Sequence, residues 1–301
     1  MDISWLWIPA TLVAAAAQAG RNAVQRGLTA TLGTLGATQV RFLFGFPFAL
    51  LFLLIVCLAT DAVPPSVNTS FLLFVLAGAL LQIAATALML AAMRERSFVV
   101  VTAWTKTEPV QVAVFGFAVL GDPLSPLGVL AVLLATLGVV VMSARPAGGA
   151  ALHAGWRPVL LGLLSGAGFA LSAVSFRGAI LQLDGGSFAM QASWTLCWSL
   201  GVQVLVLLAW MLLFNRPLMR ACAAAWRSSI WGGLLGATAS QAWFIGFSLT
   251  AAANVRTLGL VEVLFAQVLS QRLFSHAPSR RELAGIGLIV VGVGLLLASA
   301  R

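Results

Sequence analysis

The chain has 301 residues, of which 61% are apolar and only 8% are charged, and its mean hydropathy is +1.03. A soluble domain carries about 25% charged residues, so this composition excludes a soluble enzyme, a nucleic-acid-binding module and a disordered chain. The net charge of +9 comes from basic residues that stand singly or in pairs between apolar runs, as the topology signals of membrane proteins do.

Ten apolar runs follow one another along the chain, each close to the length of about 20 residues that a membrane-crossing helix needs. The sequence therefore predicts an all-α integral membrane protein with ten transmembrane helices, at residues 5–26, 36–59, 70–93, 97–120, 125–143, 157–179, 187–214, 228–250, 254–274 and 281–300. Turn residues separate the runs, and the longest linkers are expected at residues 144–156 and 215–227. No basic segment precedes the first run, so we expect a retained helix and not a signal peptide.

The two halves of the chain resemble each other. An offset of 154 residues places Gly78 on Gly232, Glu108 on Glu262, Ser125 on Ser279 and Gly138 on Gly292, and an offset of 151 places Arg26-Gly27 on Arg177-Gly178. We therefore predict two five-helix repeats, residues 1–150 and 151–301. Because five is an odd number, the second repeat enters the membrane in the opposite orientation, which is the inverted-repeat architecture of many secondary carriers.

Arginines indicate the orientation of the predicted helices. The loops expected after spans 1, 3, 5, 7 and 9 contain Arg26, Arg94, Arg96, Arg145, Arg157, Arg216, Arg220, Arg227, Arg272, Arg280 and Arg281. The loops expected after the even-numbered spans hold little beyond Arg177. By the positive-inside rule the arginine-bearing loops face the cytoplasm, so we expect a bacterial-type inner membrane protein with both termini outside.

Two motifs at equivalent positions of the halves identify a family resemblance. The first half contains Thr107-Glu108-Pro109-Val110 followed by Gly121-Asp122-Pro123-Leu124-Ser125, and the second contains Val261-Glu262-Val263 followed by His276. This arrangement resembles the drug/metabolite transporter superfamily, in its ten-helix EamA-type branch. The resemblance implies a carrier of small metabolites or drugs, often an exporter of amino acids or related compounds. It also implies a central cavity lined by spans 1, 3, 4, 6, 8 and 9.

Three ionisable residues lie deep in spans 4 and 9. Glu108 and Glu262 could bind a proton or a cation, or could accept hydrogen bonds from amides or an arginine and hold the helices together. Lys106 lies two residues before Glu108, about 200° away around a helix, so the two do not form a local ion pair. Lys106 could bind a substrate carboxylate, snorkel, or pair with another helix. Pro109 predicts a kink in span 4.

Other polar and aromatic residues within the spans are candidates for substrate binding or gating. Gln18, Arg21, Asn22 and Gln25 are spaced three and four apart and form one face of span 1. Trp104 and Trp243 could stack on a substrate or simply pack, and Gln82 and Gln241 could bind helices together or line a cavity. Arg41 is expected to anchor span 2 at the cytoplasmic surface, and Arg256 to act as a gate or an interfacial anchor.

The sequence offers no basis for an enzyme. The eight acidic residues are scattered, whereas a Mg²⁺-dependent membrane enzyme needs clustered acids, so we expect no catalytic residues, no metal and no cofactor. We predict a secondary transporter, with a lipid flippase or a facilitative channel as the alternative. Its expected partners are a small-molecule substrate, protons as coupling ion and the lipid bilayer, with no nucleic acid, and we expect a monomer.

Overall fold

The computed structural model describes residues 3–95, 104–143, 156–265, 267 and 279–299. Every regular element in these residues is helical, which confirms the all-α fold. The α-helices are α1 (Trp7–Leu43), α2 (Phe46–Thr60), α3 (Thr69–Glu95), α4 (Glu108–Leu120), α5 (Pro126–Ser143), α6 (Trp156–Leu181), α7 (Phe188–Phe214), α8 (Arg216–Ala224), α9 (Trp226–Leu249), α10 (Ala252–Leu258) and α11 (Arg280–Ser299). Within the described residues, five helical stretches are long and apolar enough to cross a membrane, the first being Trp7–Thr60.

The first two predicted spans are joined without the loop that we expected at residues 27–35. Helix α1 is interrupted at a single residue, Gly33, whose φ of 65° and ψ of 172° suit glycine alone. Residues twelve apart in a straight helix are separated by about 18 Å, yet Gln25 Nε2 donates to the Ala37 carbonyl at 2.9 Å. The chain therefore reverses at Gly33, between arm 1 (residues 7–32) and arm 2 (residues 34–43).

The helix continues through the expected loop because its apolar side chains pack across the reversal. Leu28 and Leu32 of arm 1 are buried against Ala37 and Val40 of arm 2, together with Cys222. No proline or aspartate interrupts residues 26–32, so the local sequence permits the helix and this packing stabilises it. Arg26, expected in a loop, is consequently an exposed residue of arm 1.

The predicted linker at residues 215–227 is wrong, because most of it forms helix α8. The Asn215 side chain accepts a hydrogen bond from the Leu218 amide at 3.2 Å, and Pro217 lies in the first turn. Asparagine followed by proline can thus begin a helix as well as make a turn. Cys222, on this helix, is buried, and that burial raises the pKa of its thiol. The other predicted linker, residues 144–156, falls almost entirely outside the described residues.

Arg177, which we expected in a loop, lies inside helix α6. Its guanidinium donates to the carbonyls of Phe247 and Thr250, at 2.6 and 2.7 Å. These carbonyls belong to the end of α9, where the last turn has no helical donors of its own. A positive charge is also favourable at a helix C-terminus, so Arg177 caps α9.

The chain forms two compact units. Unit 1 comprises Met1–Leu80 and Ser175–Thr250, and unit 2 comprises Leu81–Val174 and Ala251–Arg301. Each unit draws on both halves of the sequence, so this division by contacts differs from the two repeats at 1–150 and 151–301, which remain a prediction. Helices α3 and α6 contribute residues to both units.

Small residues allow close helix packing inside each unit. In unit 1, a Cβ placed on Gly233 of α9 would overlap the backbone of Phe44. In unit 2, a Cβ on Gly138 of α5 would lie 2.7 Å from the carbonyl oxygen of Gly285 in α11. Glycine at these contacts lets the backbones approach, as is typical of helices packed within a membrane.

Candidate functional site

Span 4 is interrupted beside its charged residues. Lys106 and Thr107 form a turn, and α4 begins at Glu108 with Pro109 in its first turn. Because the first amides of a helix need no helical acceptor, proline is well placed there. Pro109 therefore marks the start of a new helix after a break, and not the kink within a continuous helix that we predicted. Gln111 Nε2 donates to Thr107 Oγ1 at 3.0 Å across this break.

Span 9 is interrupted at the equivalent position. Helix α10 ends at Leu258, a 3₁₀ turn covers Gly259–Val261, and the chain is α-helical again from Glu262. The offset of 154 residues places the turn at 106–107 on residues 260–261. Glu108 and Glu262 thus each follow a break directly, where the helix N-terminus favours a carboxylate.

Two ion pairs in unit 2 connect the broken spans crosswise. Lys106 Nζ lies 3.0 Å from Glu262 Oε2 and donates a hydrogen bond to it. Arg256 Nε lies 3.2 Å from Glu108 Oε1, an ion pair whose geometry falls outside that of a hydrogen bond. The side chains of Lys106 and Glu262 are 22% and 9% exposed, and those of Arg256 and Glu108 are 15% and 14% exposed.

These four residues, the crossed ion pairs, balance two positive charges with two negative ones. Lys106 pairs with another span, which was one of its three possible roles, and it does not pair with the neighbouring Glu108. Arg256 contacts Glu108 and is partly buried, so it is not a simple interfacial anchor. Partly buried charges are costly unless each has an opposite charge, and the crossing supplies one to each.

Other predicted residues of unit 2 lie near the breaks or farther along their helices. Trp104 lies two residues before the turn at Lys106 and is 37% exposed. Gln82 lies in α3, where its carbonyl accepts a hydrogen bond from Thr86 Oγ1 at 2.8 Å. Neither the exposure of Trp104 nor the backbone contact of Gln82 assigns these side chains a role in binding.

The predicted polar face of span 1 is assembled in unit 1. Trp243 Nε1 of α9 donates to Gln18 Oε1 of arm 1 at 3.2 Å, which brings two candidate residues together. Arg21, only 8% exposed, donates to Asn22 Oδ1 at 2.9 Å. Gln241 Nε2 donates to Ser193 Oγ of α7 at 2.9 Å, a contact that holds two helices together.

The structure places Arg41, which we expected to anchor span 2 at the cytoplasmic surface, beside Arg21. A Cβ placed on Gly236 of α9 would lie 3.2 Å from Arg41 Cβ and 3.5 Å from Arg21 Cδ. The two arginines therefore flank the same glycine, and Arg41 is partly buried. The reversal at Gly33 brings positions 21 and 41 together. Hydropathy and turn residues did not predict it, because no proline or aspartate interrupts residues 26–32.

Within the described residues, no group of three or more His, Cys, Asp or Glu side chains is arranged to hold a metal ion. The three cysteines, Cys57, Cys197 and Cys222, are free thiols. His153 and His276 lie outside the described part of the chain.

Comparisons with known proteins give a match to one family model over part of the chain, and a fold. Residues 5–144 match the model of the EamA-like transporter family. A solved crystal structure, described simply as that of a protein, is similar to this chain with a TM-score of 0.66 and 17% sequence identity. The match covers 97% of this chain and 97% of the other one. At that identity the likeness shows the fold alone. No curated protein sequence matches the chain significantly.

Proposed function

We propose, from the match of residues 5–144 to the model of the EamA-like transporter family, that the chain is a secondary active carrier of that family, which consists of membrane transporters of the drug/metabolite transporter superfamily. It moves a small metabolite, an amino acid or a related compound or drug, across the cytoplasmic membrane by alternating access. Export is the proposed direction.

The observation that carries this proposal is the pair of broken spans with their crossed ion pairs. In secondary carriers, interrupted helices at corresponding positions of the two halves are the best pointer to the binding site. Here the interruptions at 106–107 and 259–261 lie at corresponding positions, and each is followed by a glutamate that is ion-paired with the other span.

The balance of charge favours a zwitterionic substrate. A substrate carboxylate can take the place of a glutamate beside Lys106 or Arg256, while its ammonium group takes the place of a cation beside Glu108 or Glu262. Each charge in the cluster then keeps an opposite partner. A singly charged substrate would leave one protein charge uncompensated, which is costly away from water.

Counterflow in proteoliposomes tests the proposal. Purified protein is reconstituted, and vesicles loaded with amino acids, organic cations or nucleobase-like compounds are screened for uptake of the same labelled compound. We expect saturable exchange of amino acids, at least tenfold reduced in Glu262→Gln. The matched control is Glu282→Gln, because Glu282 is a partly exposed carboxylate that accepts from the Ser279 amide at 2.6 Å, a capping contact that glutamine can preserve. Exchange restricted to neutral or purely cationic compounds would overturn the zwitterion proposal.

Proton coupling is the second part of the proposal. Protonation of Glu108 or Glu262 would remove the negative charge that holds its cation, so proton binding and opening of the cluster would be linked. We expect an imposed pH gradient to drive uptake by the wild type and not by the double variant Glu108→Gln, Glu262→Gln. A double variant that keeps its full response to the gradient would exclude these glutamates as the proton site.

The orientation is a further part of the proposal. We place the arginine-rich ends of the spans in the cytoplasm and both termini outside. Reporter enzymes fused to the C-terminus, one active only inside the cell and one active only outside, distinguish the two orientations. Activity of the inside reporter would reverse the proposed topology.

A further inference from the structure

Helix α8 of unit 1 has two contrasting faces, of which the inner one packs against the two arms. Cys222 is buried with Leu28 of arm 1 and Val40 of arm 2, and Leu218 packs against the same cluster. Successive residues of a helix are turned by about 100°, so Leu218 and Cys222, four residues apart, lie on one side of α8. The packing of this side determines which face of α8 is left exposed.

The outer face of α8 carries two exposed arginines, Arg216 and Arg220. They lie about 160° around the helix from the side formed by Leu218 and Cys222. Arg216 Nε donates to the Leu212 carbonyl at 2.9 Å, which uses one of the five N–H donors of its guanidinium. Side chains four residues apart start about 6 Å from each other, so the two guanidinium groups are close enough to bind one phosphate.

The stretch of chain around α8 has basic residues and no acidic ones. Residues 185–261, which include α7, α8 and α9, contain no aspartate or glutamate. Arg227, the second residue of α9, is a third exposed cation, and its guanidinium lies 5.5 Å from the ring centroid of the exposed Trp226. A basic amphipathic helix of this kind is attracted to anionic lipids.

Exposed apolar side chains adjoin both ends of α8. At the end of α7, Leu213 and Phe214 are 74% and 75% exposed, and at the start of α9, Trp226 and Trp231 are 51% and 61% exposed. Tryptophan and arginine side by side are typical of the boundary between the hydrocarbon core and the headgroups. A ligand with an anionic head and an apolar tail therefore fits this surface better than a free anion does.

We propose that the outer face of α8 binds the headgroup of an anionic phospholipid. Arg216 and Arg220 hold the phosphate, Arg227 adds to the attraction, and the exposed apolar residues at the ends of α7 and α9 contact the acyl chains. Arginine suits this role because its planar fork donates two parallel hydrogen bonds to a phosphate. This lipid site goes beyond the proposed carrier function and does not depend on it, because lipid binding is measured without transport.

Thermal unfolding of the purified full-length protein in detergent micelles tests the lipid site. Phosphatidylglycerol is added stepwise, and phosphatidylcholine with the same acyl chains, whose headgroup has no net charge, is the reference. We expect phosphatidylglycerol to raise the Tm saturably by about 3 °C above the reference. The double variant Arg216→Gln, Arg220→Gln should lose this rise. The matched control is Arg280→Gln, Arg281→Gln, which removes two exposed arginines from the start of α11, where Glu282 follows directly, and it should keep the full rise.

Each variant is compared with itself in the two lipids, so a change in its own stability does not affect the result. Arg220→Gln alone removes one exposed side chain, so it should fold like the wild type and lose at least half of the rise. No rise with phosphatidylglycerol in the wild type would overturn the proposal. An equal loss in the control would also overturn it, because the response would then follow net charge. An equal rise with glycerol phosphate, which has no acyl chains, would overturn the assignment to a lipid.

Discussion

The two units differ in the groups that contact the charged side chains of their helices. Unit 2 places two cations opposite two carboxylates, so its crossed ion pairs are neutral as a group. Unit 1 places Arg21 and Arg41 beside one glycine, in helices that contain no acid. The charges of unit 2 are thus held by opposite charges on side chains, whereas Arg177 of unit 1 donates to the backbone carbonyls at the end of α9. The difference teaches that a buried charge indicates a ligand only when its compensating charges are counted as well.

The largest effect should come from breaking one ion pair in unit 2. Glu262→Gln leaves Lys106 without an opposite charge at a site that is largely shielded from water, which should destabilise the protein by about 3 kcal/mol. The measurement is the Tm in detergent. Lys106→Met combined with Glu262→Gln should recover part of that loss, because the double variant has no uncompensated charge.

If the double variant loses as much stability as the single variants Lys106→Met and Glu262→Gln lose together, Lys106 and Glu262 are not a coupled ion pair. The matched control is again Glu282→Gln, which removes a partly exposed carboxylate that has no role in the crossed ion pairs and should change stability by less than about 0.5 kcal/mol.

In unit 1, the next largest effect should come from the reversal that brings the arginines together. Gly33→Ala places a side chain at a φ of 65° and ψ of 172°, which should cost about 2 kcal/mol. Gly27→Ala is the matched control, because a Cβ at either glycine meets nothing within 4 Å but only Gly33 has a positive φ. The Gly27 variant should be neutral or more stable by up to about 1 kcal/mol. Equal Tm values for Gly33→Ala and Gly27→Ala would show that a side chain at position 33 causes no backbone strain.

The sequence predicted the helices of both units better than their charge contacts. Long apolar runs identify spans directly, and the offset of 154 residues marked Glu108 and Glu262 as equivalent. The partners of these glutamates depend on which spans lie side by side, which hydropathy does not report. Arg177 was assigned to a loop although it lies within the predicted span 157–179, because an arginine near the end of an apolar run was interpreted as a topology signal.

Arg177 offers a test of a positive charge that donates hydrogen bonds to backbone carbonyl oxygens. Arg177→Gln removes two charge-assisted hydrogen bonds to the end of α9, and we expect a loss of about 1.5 kcal/mol. The control is Arg227→Gln, an exposed arginine on α9 that contacts Trp226. A Tm unchanged in both variants would show that the cap contributes nothing to stability.

The smallest effect on stability should come from the glycines of α9 that lie against arm 1 and arm 2. Gly236→Ala and Gly232→Ala each add a methyl group to α9, 3.2 Å from Arg41 Cβ and 3.3 Å from Val40 Cγ1 respectively. Crowding offsets the helix propensity gained, so each should change stability by less than about 1 kcal/mol. Only the methyl group at Gly236 lies against arginine side chains, which are held in place by their own contacts, so Gly236→Ala should lower the Tm more than Gly232→Ala does. Equal Tm values would mean that the arginines accommodate the methyl group as readily as the valine does.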